Sequence, residues 1–153
     1  MFLVFIFLPI FTCGGYFAVE KNAMIDVNKS CIVTIYDQGE EKTFHAGDQV
    51  YDQIVNCFQK IIEEAREMPA FGVSLHHETV DAMKSGIWIE FEFGDLQEHG
   101  EMFYEKLLFK IEPNLYGFNL IRFYDGKYDG RCYYFDLQDT SRIDDLFELV
   151  KNI

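Results

Sequence analysis

A chain of 153 residues that is 49% hydrophobic and 17% aromatic is long enough for one domain with a substantial core, and it is too apolar to remain disordered. Its 26 acidic residues against 13 basic ones give a formal net charge of −13. That charge argues against a nucleic-acid binder, because phosphate-backbone affinity comes from lysines and arginines displacing counterions; it fits a soluble acidic surface or a basic partner.

Met1 to Thr12 is apolar throughout and is followed by Cys13-Gly14-Gly15. About twelve residues are too few to span a bilayer as a helix, but they suit the hydrophobic part of a secretory signal. Ile10-Phe11-Thr12-Cys13 has the outline of a lipobox, with Cys13 as the lipidated residue. Bulky Phe11 and Thr12 depart from that pattern, and no basic residue precedes Lys21. Segment 1–13 therefore reads either as a signal or lipoprotein segment or as a core strand or helix. The first reading makes an extracytoplasmic, membrane-anchored protein and the second a cytoplasmic one. Residues 14–30 read as a linker with a short strand at Met24 to Val27, and 31–153 as a single α+β domain.

Within that domain, Cys31 to Tyr36 is β-rich, Asp37-Gln38-Gly39-Glu40 is a turn, and Lys42 to Phe44 returns as a hairpin partner. Asp48 is placed to accept hydrogen bonds from the free amides of a helix start. Val50, Ile54, Phe58, Ile61, Ala65 and Met68 then recur at helical spacing, with Pro69 as the stop. Phe71 to Leu75 reads as an extended connection and Glu78 to Lys84 as a brief helix.

Gly86-Ile87-Trp88-Ile89-Glu90-Phe91-Glu92-Phe93-Gly94 gives the clearest strand. Ile87, Ile89, Phe91 and Phe93 share one face, while Trp88, Glu90 and Glu92 share the other and are expected to meet water. A polar loop at Asp95 to Glu101 leads to a strand at Phe103 to Ile111. Strands at Phe118 to Tyr124 and Arg131 to Leu137 flank an Asp-Gly-rich turn. Ser141 and Asp144 resemble a capping box that opens a last helix, with Ile143, Leu146, Phe147 and Val150 as its stripe. The expected fold is α+β: an antiparallel sheet of about five to six strands in the order ββααββββα, with the two main helices packed on one face.

The hairpin Ile35-Tyr36-Asp37 to Phe44, the Asp48 helix with Tyr51 and Ile54, and the stretch Met83-Lys84-Ser85-Gly86-Ile87-Trp88-Ile89-Glu90-Phe91 together resemble small uncharacterised bacterial α+β domains, some of which carry lipoprotein-type signals. The resemblance implies this architecture and export; it brings no activity with it.

Three groups of residues invite chemistry. Glu90 and Glu92 lie about 6.5–7 Å apart along a strand, a spacing that suits paired carboxylates acting through a water, and with Trp88 they also form an aromatic, acidic contact surface. His76 and His77 with Asp81 are the metal candidate, since residues four apart on a helix converge. Cys13, Cys31, Cys57 and Cys132 contain no C-x-x-C pair, so they read as small buried hydrophobes, apart from lipidation at Cys13. No P-loop, nucleophile elbow or dinucleotide fingerprint occurs, and no cofactor is implied. The expected function is a non-catalytic accessory or binding domain for a protein or polymer, reaching the membrane only through its N-terminus. The alternatives are an acidic inhibitor or immunity-type protein for a basic partner, and a small hydrolase or metal-dependent enzyme.

Overall fold

The hairpin that opens the domain turns on Gln38 and Gly39, both at positive φ (52° and 86°), the combination whose twist matches two antiparallel strands. The computed structural model of the protein describes residues 24–128 and 130–153, without the side chains of 69–74 and 130–132. The signal or anchor expected at 1–13, Cys13 and most of the expected linker lie outside the described residues. The strands of this first hairpin are β1 (Ser30–Asp37) and β2 (Glu40–His45). They are followed by α1 (Gln49–Glu64), β3 (Arg66–Ser74), α2 (His76–Ala82), β4 (Ile87–His99), β5 (Met102–Ile111), β6 (Gly117–Tyr124), β7 (Lys127–Tyr128), β8 (Gly130–Asp136) and α3 (Ser141–Lys151).

The strands form one antiparallel sheet of eight, ordered β2-β1-β4-β5-β6-β8-β3 with β7 beside β6. The expected sheet of about five to six strands is exceeded, and the two strands absent from the expected order are β3 and β7. Residues 66–68 were expected to continue α1 as far as Pro69. They instead find a backbone partner in β8, with Arg66 opposite Asp136 and Met68 opposite Tyr134, and Ala65 turns extended to begin that strand. A long-range ladder here overrides local helix propensity. Proline is tolerated because β3 is an outer strand. The polar loop expected at 95–101 is corrected likewise: β4 runs through an irregularity after Glu92 and re-pairs, Gln97 opposite Tyr104, before a tight turn at Gly100.

The core lies between the first face of the sheet and helices α1 and α3. Ile54, Phe58 and Ile61 of α1 and Ile143 and Leu146 of α3 are fully buried against Val33, Ile89, Phe91, Leu107 and Phe109. Phe58 is the centre of this layer, stacked on Phe91 at 4.8 Å and on Phe109 at 4.2 Å. Phe118 and Phe135 extend the aromatic series toward β8. The expectation that Ile87, Ile89, Phe91 and Phe93 form the oily side under the two main helices therefore holds.

Several local expectations change. Met24 to Val27 is not a strand; Val27–Lys29 is a 3-10 turn whose Val27 N–H donates to Gln59 Oε1 at 3.0 Å, which buries Ile25 and Val27 in the core. Asp48 is the N-cap residue of α1, but its side chain turns back to the hairpin and accepts from the His45 N–H at 2.8 Å instead of from the helix amides. Thr140, one residue before Ser141, is the N-cap of α3, and its hydroxyl donates to Asp144 at 3.0 Å. The other Asp144 oxygen accepts from the Asn114 N–H at 2.7 Å, tying α3 to the β5–β6 connection.

Candidate functional site

Strand register fixes which side chains meet on the second face of the sheet. One cross-strand row runs Glu41, Tyr36, Trp88, Lys110 from β2 to β5. The next runs Thr43, Thr34, Glu90, Leu108 and, on β6, Ile121. The third runs His45, Ile32, Glu92, Lys106, Phe123 and, on β7, Tyr128.

This face is not the wet surface expected for Trp88 and Glu90. Trp88 is 6% exposed and Glu90 2% exposed; only Glu92 keeps substantial contact with solvent. The end of α2 and the β6–β7 hairpin close over it, and Met83, Trp88, Leu108 and Tyr128 form a second, smaller apolar cluster. The Trp88 indole N–H donates to the Ser85 carbonyl at 2.9 Å, fastening the α2–β4 loop across the ring. Alternation along β4 tells which residues share a face; whether that face is roofed depends on distant segments, which periodicity does not report.

Glu90 is the centre of the covered region. Its Oε2 accepts a short hydrogen bond from the Tyr128 hydroxyl. Its Oε1 receives two longer contacts, from Tyr36 at 3.4 Å and from Lys106 at 3.3 Å. Lys106 sits closer to Glu92, at 2.7 Å, and so bridges the two carboxylates, with its ammonium 5.5 Å from the centre of the Phe123 ring. These partners suit an ionised carboxylate that could not otherwise be buried.

The same contacts hold the neighbouring groups in their protonated forms. Burial, then the Glu90 charge, pushes the Tyr36 and Tyr128 phenols well above the ordinary range. For Lys106, burial works to lower the ammonium's pKa, but the hydrogen bond to Glu92 and the charge of Glu90 outweigh it and hold the group protonated to higher pH.

Two of the three residues proposed for metal binding have other partners. His76 Nδ1 accepts from the Tyr128 backbone N–H at 2.9 Å, and its ring stacks on that tyrosine. Asp81 pairs with Lys84 at 2.7 Å, and His77 is exposed. Among the described residues no group of three or more His, Cys, Asp or Glu side chains converges as a metal site would require. Cys31 and Cys57 are half-buried free thiols, and the Cys132 side chain lies outside the described residues. No helix among the described residues is long and apolar enough to cross a membrane.

One polar contact has no counterpart in the sequence reading. His99, 3% exposed at the end of β4, places Nε2 2.9 Å from both oxygens of Glu67 on β3, and the Tyr133 ring meets it edge-on. A histidine beside the turn glycine Gly100 was the only local signal; its carboxylate partner is 32 residues away in sequence.

Among the described residues, two clefts lie open beside the roofed region. One, of about 270 Å³, lies between the β1–β2 hairpin and α2, with Tyr36, Glu41, Met83, Lys84 and Tyr128 on its walls. The other, of about 240 Å³, lies where β5 and β6 part. Their ladder stops at Leu108 opposite Ile121, while β6 continues along β8. Trp88, Leu115 and Phe118 line its depth, and Lys110, Glu112 and Asn119 stand with them on its walls. No family model, curated protein or solved structure matches the chain.

Proposed function

We propose that the chain is a non-catalytic binding domain whose ligand contacts the partly covered second face of the sheet, in the clefts on either side of Trp88. The observation that carries this reading is the state of the Glu90 cluster. Lys106 occupies the space between Glu90 and Glu92 that a hydrolytic water would need. Tyr36, Tyr128 and Lys106 are all held in their protonated forms, whereas a general base or nucleophile needs a pKa drawn toward working pH. The cluster supports a surface; it does not prime a reaction.

Trp88 is the only tryptophan in the chain, so its fluorescence reports on the β5–β6 cleft without labelling. Titration with panels of oligosaccharides, peptides and basic proteins should shift its emission saturably for at least one class. Turnover of a hydrolase substrate that is lost in Glu92→Gln, with no binding by any panel member, would overturn the reading. The apolar Met1–Thr12 stretch before Cys13 supports a tether outside the cytoplasmic membrane. Intact mass of the native protein tests that part, because a lipidated chain would begin at Cys13.

A second reading, an acidic inhibitor of a basic protein, is favoured by the net charge of −13. A pull-down whose yield of a basic protein collapses with added salt would select it.

A further inference from the structure

We propose that the cleft between the β1–β2 hairpin and α2 receives a primary alkylammonium group, the side chain of a lysine on a basic protein partner. The proposal rests on the binding-domain reading and names the chemistry that one of its clefts selects.

Hydrogen-bond accounting leads to the ligand. A tyrosine hydroxyl offers one proton and two lone pairs. Tyr36 and Tyr128, both on the cleft wall, direct their protons to Glu90 behind them. The two hydroxyls are also in hydrogen-bonding contact with each other, which takes up one lone pair between them; what is left for an occupant is the remaining acceptor capacity. The Glu41 carboxylate, cross-strand neighbour of Tyr36 and exposed, adds a charged acceptor on the same wall. A guest that meets these groups must therefore bring donors, and a cation gains further from Glu90 lying one layer beneath.

The lysines nearby do not cancel this. Lys84, also on the wall, is paired with Asp81 at 2.7 Å, and Lys106 lies nearest Glu92. Lys110, in the same cross-strand row as Tyr36, is paired with Glu112, so the local set is five carboxylates, Glu41, Asp81, Glu90, Glu92 and Glu112, against three ammonium groups. Val80 and Met83 give the cleft apolar wall suited to the methylene stem of a lysine, which keeps only its head polar. A net charge of −13 would draw a basic macromolecule toward this surface before any close contact forms.

The test is a titration of the full chain with N-acetyl-lysine methylamide, followed through the Gly39 amide and the Met83 methyl resonances. Both should shift and saturate, and the Nε-acetylated form of the same probe should leave them unmoved. Tyr36→Phe, which keeps the ring and removes the acceptor oxygen, should weaken binding by about tenfold, the scale of a hydrogen bond to a charged group. Glu41→Gln, on an exposed outer strand where folding is not at stake, should weaken it by about threefold.

Equal response to the acetylated probe, shifts spread over surface carboxylates without saturation, or unchanged binding in both variants would overturn the proposal. A saturable ligand in the Trp88 cleft together with no response of Gly39 and Met83 to the lysine probe would overturn the ammonium assignment alone. Silence in both clefts toward every ligand tried would overturn the binding-domain reading as well.

Discussion

At the scale of single residues, Glu90 and the hydroxyl of Tyr128 form the contact on which the second face depends. Tyr128→Phe keeps the ring against Phe123 and His76 but leaves Oε2 of a buried carboxylate without its closest donor. Chemical denaturation should show a loss of about 1–3 kcal/mol, the usual cost of orphaning a buried polar atom. An unchanged midpoint would mean that water replaces the phenol. The titration of this cluster has one sign. Tyr36, Tyr128 and Lys106 all have folded-state values raised above their unfolded ones, so their contribution is fully present below about pH 10 and is lost as the pH climbs through the folded values. Buried Tyr104, with its phenol pushed up to about 12 by burial and Asp26, acts in the same direction. Phenolate absorbance should therefore rise in two stages, exposed tyrosines first and the buried ones together with unfolding. A single stage at about pH 10, the free-phenol value, would show the cluster open to solvent.

At the scale of elements, β6 leaves β5 where it pairs with β8 on its far side. Gly117 pairs with Asp136 of β8, and a methyl group at its Cα would come within 2.1 Å of the Tyr134 hydroxyl and 2.8 Å of the Phe135 carbonyl. The tyrosine can swing aside, but the carbonyl belongs to the ladder itself. Gly117→Ala should lower stability by about 1–3 kcal/mol in thermal or denaturant unfolding and speed amide exchange at 117–120 before that of β4. Unaltered exchange there would show that β8 yields without strain. The start of β4 and the boundaries of β5 and β6 could be read approximately from sequence because alternation, glycine and proline act within a few residues; the end of β4 could not, since Gly94 and the polar residues after it read as a loop and pair only through β5. β3 could not, since Arg66 to Met68 continue a helical pattern and become strand only through residues 134–136. β7, two residues long, carries no periodicity at all.

For the whole molecule, 26 acids on a chain with 13 bases mean that self-repulsion opposes the compact state. Moderate salt should raise the melting temperature by screening that repulsion, because the exposed pairs it also weakens, such as Arg142 with Glu64 and Lys84 with Asp81, contribute little. A fall in melting temperature would assign those pairs a larger role. The candidate site was legible only as a set of neighbours. Trp88, Glu90 and Glu92 were recognised as sharing a face, but Tyr128 reaches Glu90 from 38 residues away, and His76 meets Tyr128 across 52. Contacts of that separation depend on the crossing of elements, so residue patterns showed the floor of the site and hid its roof.

The two outermost strands have a consequence for behaviour in concentrated solution. An open sheet offers unpaired amides at each end, and such ends can template fibrils by recruiting identical chains. Here β2 presents Glu40, Glu41 and Lys42, while β3 contains Pro69, which has no amide proton to donate. Charged side chains at one border and a missing donor at the other both penalise lateral recruitment, so the fold is guarded against amyloid growth at the two places where its sheet is left unfinished.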